Sequence, residues 1–140
     1  MMQIKPISFH PEEIVRQLPP NVIFVFGSNL AGRHGKGAAL TAKMHFGAVY
    51  GLGAGLMGQS YAIPTKDESL QTLSLDNIKA YIQVFKFFVE SHPELFFYLT
   101  PIGCGLAGYQ PQDIAPLFTP LINLNIIFPV SFKPYLLPRS

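Results

Sequence analysis

Cysteine is nearly absent from this chain: Cys104 is the single one among 140 residues, and there is no tryptophan. One thiol excludes an intramolecular disulfide and any zinc site built from cysteine alone. Charge is also scarce. Asp, Glu, Lys and Arg together make up 13% of the residues, about half of the roughly 25% usual in soluble domains. The net charge is only +2, which argues against a nucleic-acid backbone as the main partner of the whole surface. The start of the chain, Met1-Met2-Gln3-Ile4-Lys5-Pro6, lacks the apolar core of a secretion signal. No apolar run approaches the roughly 20 residues that span a bilayer. A cytoplasmic protein without a membrane anchor is expected. His10, His34, His45 and His92 show no metal-ligand spacing, so surface or capping roles are expected for them, with no metal and no cofactor.

Two further absences are local. There is no Asp or Glu from Ile14 to Lys66, a span that holds Arg16, Arg33, Lys36, Lys43 and Lys66. Of 13 prolines, none lies between Asn21 and Ile63, so every residue there keeps its backbone N–H. A cationic stretch with all its amide donors suits a phosphate or diphosphate.

Apolar residues are 49% of the chain, enough for one well-filled core, and the length suits one domain over residues 1–140. Asn21-Val22-Ile23-Phe24-Val25-Phe26 and Leu95-Phe96-Phe97-Tyr98-Leu99-Thr100 read as strands covered on both faces, being short, apolar and not alternating. Two more strands are expected over residues 59–64 and 125–132, the latter placed at an edge or split by Pro129. Ile78, Ile82, Phe85 and Val89 recur at helical spacing between Asp76, a candidate cap, and the stop His92-Pro93. Further helices are expected from His10-Pro11-Glu12-Glu13 to before Pro19, from Gln110-Pro111 to about Ile122, and from near Gly35 to Gly47. Strands alternating with helices imply an α/β fold, with a mainly parallel sheet covered by helices on both faces.

All 12 glycines fall in two windows, nine from Gly27 to Gly58 and three from Gly103 to Gly108. Each window follows a strand, and glycine lets bare amides approach a ligand closely. In an open α/β sheet both loops would lie at the carboxyl ends of strands and flank one cleft. The familiar nucleotide motifs nonetheless fail. Gly35-Lys36 is followed by Gly37 where a phosphate loop needs Ser or Thr, and Leu30 stands where its first glycine belongs. The pattern G-x-G-x-x-G occurs from Gly53 and from Gly103, yet the second copy has no acid about 20 residues on and too little chain after it for a dinucleotide half.

The segments Val25-Phe26-Gly27-Ser28-Asn29-Leu30-Ala31-Gly32-Arg33-His34-Gly35-Lys36-Gly37-Ala38-Ala39-Leu40 and Ile102-Gly103-Cys104-Gly105-Leu106-Ala107-Gly108 resemble the macro domain family, closest to its ADP-ribosylglutamate hydrolase branch. The resemblance covers roughly residues 22–121, including Tyr61-Ala62-Ile63-Pro64-Thr65-Lys66. It implies a three-layer macro-like domain that binds ADP-ribose, or an ADP-ribosylated macromolecule, between the two loops. Asn29 would contact the distal ribose. Gly35, Lys36 and Gly37 would hold that ribose and a phosphate, and Gly103, Cys104, Gly105, Leu106 and Ala107 would offer amides to the diphosphate.

Two departures shape the expected activity. The family's adenine-reading acid near the first strand has no counterpart in residues 4–10, leaving Phe132 or Tyr135 to stack on the base. In the hydrolase branch a lysine and an acid do the chemistry; Lys66 matches the lysine, but Ala107 replaces the acid. Asp67 is either a substitute acid or a solvated charge, and Cys104 reads as a small loop residue rather than a nucleophile. Binding of ADP-ribose or a related nucleotide diphosphate is therefore the first expectation. Alternatives are an ADP-ribosyl hydrolase acting on modified protein or nucleic acid, and a structural or nucleic-acid-contacting protein whose glycines are only turns.

Overall fold

The computed structural model describes residues 6–136; the expectations for residues 1–5 lie outside them. Six strands form one sheet: β1 (Ser8–His10), β2 (Val22–Asn29), β3 (Gly55–Met57), β4 (Ser60–Lys66), β5 (Phe96–Leu99) and β6 (Ile126–Pro129). Their spatial order is β1-β6-β5-β2-β4-β3. All neighbours run parallel except β3, which pairs antiparallel with β4 at one edge. The crossovers required by parallel pairing are supplied mainly by α1 (Gly37–His45), α2 (Leu75–Glu90) and the segment after residue 110.

The strands are covered on both faces, as their unbroken apolar runs require. One face sets Ile23, Val25, Tyr61, Ile63, Phe97 and Leu99 against Ile78, Ile82, Phe85 and Val89 of α2, and against Ile114, Phe118 and Leu121. The other sets Val22, Phe24, Phe26, Ala62 and Tyr98 against Ala42 and Phe46, with Val15 and Leu18 at its margin. The helical stripe read from the sequence is thus the inner face of α2. The cap lies two residues before the expected one: Ser74 Oγ accepts from the Asn77 N–H at 3.2 Å, while Asp76 sits in the first turn.

Three other expectations are corrected. Residues 11–18 form no helix. The acids that suggest a helix start act elsewhere, because Glu12 has φ +64° and its carboxylate accepts from the Ser131 N–H at 2.8 Å. The helix after Gln110 is α-helical only over Pro111–Ile114 (α3) and continues as a 3₁₀ helix over Ala115–Leu121. Pro116 and Pro120 remove donors that a longer α-helix needs. The last expected strand ends at Pro129, and a 3₁₀ turn (Val130–Phe132) and a short α4 (Lys133–Leu136) follow.

Candidate functional site

Strands β2, β4 and β5 lie side by side, with Val25 level with both Tyr61 and Leu99. Their carboxyl ends therefore release three loops at one edge of the molecule. Between them lies a cleft of about 810 Å³, lined by residues 27–29, 33, 35–39, 65, 66, 70 and 100–107. Its volume is that of a small-molecule site. Asn29, Gly35, Lys36, Gly37, Lys66, Gly103, Cys104, Gly105, Leu106 and Ala107 all line it, whereas Asp67, Phe132 and Tyr135 do not.

The two glycine windows contain two kinds of glycine. Gly53 and Gly32 are packed so tightly that a Cβ on either would overlap backbone, of Asn29 for the first and of Gly51 and Leu52 for the second. Gly103, at φ +73°, is needed for its conformation, and a Cβ would sit 3.0 Å from Ile114 Cδ1. Gly35 and Gly105 differ. Neither has a positive φ, and a Cβ on either would meet nothing within 4 Å. Turn geometry and packing leave these two positions unexplained, and both line the cleft.

Both lining loops also carry backbone amides without an assigned acceptor among the described residues. The first assigned backbone hydrogen bond of α1 runs from Leu40 N–H to Lys36 O at 3.2 Å. The amides of Gly37, Ala38 and Ala39 have no assigned acceptor among the described residues, and no acid stands in that first turn. In the other loop, Cys104 N–H donates to Pro101 O and Gly108 N–H to Gly105 O. The amides of Gly103, Gly105, Leu106 and Ala107 have no assigned acceptor among the described residues. Thr72 Oγ1 donates to Ala107 O at 2.9 Å and Tyr109 Oη to Leu73 O at 2.7 Å, which ties this loop to the β4–α2 connection.

On the opposite rim the chain is clamped. Asn29 Nδ2 donates to Arg33 O at 3.0 Å, and the Arg33 N–H donates to Asn29 Oδ1 at 2.9 Å. Ser28 Oγ donates to Gly53 O. His34, expected at the surface or at a cap, is instead fully buried. Its Nε2 donates to Val49 O and Leu52 O at 3.0 and 2.9 Å, so it welds the 49–52 turn to the rim. His10 is also buried, its Nε2 donating to Leu99 O at 2.6 Å and its ring stacked on Tyr98. His92 does cap, with Nδ1 2.8 Å from Phe88 O at the end of α2.

The cleft's charge is one-sided. All eight Asp and Glu residues are described and none is among the lining residues, whereas Arg33, Lys36 and Lys66 are. Asp67 is committed to a turn, its Oδ1 accepting from the Ser69 and Gln71 amides at 2.8 and 2.9 Å. Cys104 has its thiol pKa pushed up to about 11, first by burial and then by Asp113 and Glu12, so the thiolate nucleophile is suppressed. Phe132 is fully buried in the core and cannot stack on a ligand; Tyr135 is exposed but lies outside the cleft lining. Among the described residues no three His, Cys, Asp or Glu gather to hold a metal, and no helix is long and apolar enough to cross a membrane.

Sequence reasoning counted Arg33 among the cations of the acid-free span without placing it in the site, and missed Leu70, Thr65 and Thr100 as lining residues. Arg33 carried a usable signal, being a cation inside the acid-free span. The threonines carried none, since each hydroxyl is turned to a neighbouring strand carbonyl: Thr65 to Ser28 O and Thr100 to Val25 O.

Compared with solved structures, the chain is similar to the macrodomain of Mycobacterium tuberculosis DarG, with a TM-score of 0.65 at 17% identity over 89% of this chain and 97% of that one. The fold is that of a macro domain. No family model matches the sequence, and no curated protein matches it. Within this macro fold the sheet is mixed through the single antiparallel edge strand β3, and the cleft opens at the carboxyl ends of its central strands.

Proposed function

We propose that the chain binds ADP-ribose, or a closely related nucleoside diphosphate sugar, in the cleft between the 35–39 and 103–107 loops. Gly105 is the observation that carries this reading. It is exposed, its φ suits any residue, and a Cβ would meet empty space, yet it stands in a loop with four amides that have no assigned acceptor among the described residues. A backbone stripped of side chains where the fold does not require it is suited to close approach by a multiply charged anion. The free amides at the start of α1 offer a second set of donors across the cleft. The resemblance of both loops to the ADP-ribosylglutamate hydrolases supports ADP-ribose as the anion.

Retention of the ligand is favoured over hydrolysis. Lys66 lines the cleft, but Ala107 offers no proton-transfer group and Asp67 is held in its own turn. Loss of a general acid or base costs on the order of 10²–10⁴ in rate. The site thus takes an ADP-ribosyl group, free or attached to a macromolecule, and releases it unchanged.

Calorimetric titration of the parent and of Gly105→Glu with ADP-ribose tests the reading. The parent is expected to bind one equivalent, and the variant to keep its melting temperature and lose binding. Equal affinity in a folded Gly105→Glu would move the site elsewhere.

A further inference from the structure

The family resemblance makes Asn29 a ribose-reading side chain, but its hydrogen bonds give it a different task. Its amide nitrogen donates to Arg33 O at 3.0 Å and its amide oxygen accepts from Arg33 N–H at 2.9 Å. Both polar atoms of the side chain thus grip the backbone of one residue, its N–H and its C=O, four residues on. The Asn29 carbonyl accepts from Gly32 N–H at 2.9 Å, closing the same short loop from within. The loop is also locked from outside. Gly51 N–H donates to Gly32 O at 2.9 Å, and buried His34, immediately after Arg33, is pinned by the Val49 and Leu52 carbonyls. Arg33 therefore projects an exposed side chain from a backbone fixed on both sides, at a position that lines the cleft. No salt bridge holds it among the described residues, and no carboxylate lines the cleft to hold it.

We propose that Asn29 is a positioning residue whose double hydrogen bond to the Arg33 backbone sets the Arg33 guanidinium as the cation that attracts the anionic ligand. The inference rests on the nucleotide-site reading above and adds an electrostatic selector to it. A guanidinium on a fixed mount can make paired hydrogen bonds to a phosphate. Because it is exposed, its contribution is screened by salt. A ribose contact from Asn29 would be neutral and nearly indifferent to salt. Ionic strength therefore separates the two roles of Asn29.

The test measures ADP-ribose affinity calorimetrically for the full chain, Asn29→Ala, Arg33→Ala and the double variant, at low and at high sodium chloride. Parent affinity is expected to fall several-fold with salt. Each single variant should bind several-fold more weakly at low salt and show a flatter salt dependence, and the double variant should be no more than about twofold weaker than Arg33→Ala, because the two act through one contact. Losses that multiply in the double variant, or an Asn29→Ala that keeps the parental salt dependence, would overturn the proposal and return Asn29 to direct ligand contact. If Asn29→Ala does not fold, Arg33→Ala decides, since an unchanged salt dependence there removes the selector. A folded parent that binds no ADP-ribose would overturn the underlying site reading itself.

Discussion

Glycines that look alike in the sequence separate in the structure into those the fold needs and those it does not. Gly53 has Asn29 backbone where a Cβ would be, so Gly53→Ala is expected to lower the melting temperature by many degrees, whereas Gly105→Ala should leave it within error. Thermal melts of the pair check this directly. His10 offers a second residue-scale prediction. Burial holds its pKa below the ordinary 6.5, against the opposing pulls of the Leu99 carbonyl and Glu12. Its neutral form is the folded one, with Nε2 donating to Leu99 O and Nδ1 accepting from the Glu12 N–H. A group whose folded pKa is depressed contributes stability above its unfolded pKa and loses it as pH falls through the folded value. Melting temperature should therefore drop as pH falls below 6.5, and His10→Phe should flatten that drop. The variant keeps an aromatic ring beside Tyr98 but leaves a buried carbonyl unpaired, at about 1–3 kcal/mol. An unchanged pH slope would assign the acid sensitivity to other groups.

At the scale of elements, legibility followed the source of each signal. Helix α2 was readable because four apolar residues at helical spacing have one physical use, burial against the sheet. Phe85 is fully buried there with its ring near Tyr61 and Phe97, at 4.9 and 5.5 Å between centroids. Phe85→Ala is expected to destabilise by about 3–5 kcal/mol in a denaturant titration, through lost burial and the cavity left behind. The helix expected over residues 11–18 was not readable as irregular chain, because Glu12 is used by Ser131 more than a hundred residues away. Tertiary use of a residue is invisible to a local rule. The short strands β1 and β3 escaped for a related reason: three residues each carry too little periodicity, and pairing with β6 and β4 makes them strands. The cleft was legible in outline, since glycine clusters and missing acids are matters of composition. The Asn29–Arg33 clamp was not, because hydrogen bonding alone distinguishes a side chain facing a ligand from one facing its own backbone.

For the whole molecule, the sheet's central strands bring together, at one cleft lined by three cations and no carboxylate, two loops whose amides have no assigned acceptor among the described residues. That arrangement suits an anionic ligand, the one proposed above. A ligand that binds only the folded chain raises its stability by mass action, about 2.7 kcal/mol at a hundredfold excess over Kd, so the melting temperature should climb with ADP-ribose concentration. The most direct test is an amide-resolved NMR titration of the unaltered chain with ADP-ribose. The largest shifts are expected on the amides of residues 37–39 and 103–107, with the far ends of the strands unmoved. Shifts confined to other surfaces, or none at millimolar ADP-ribose, would contradict it.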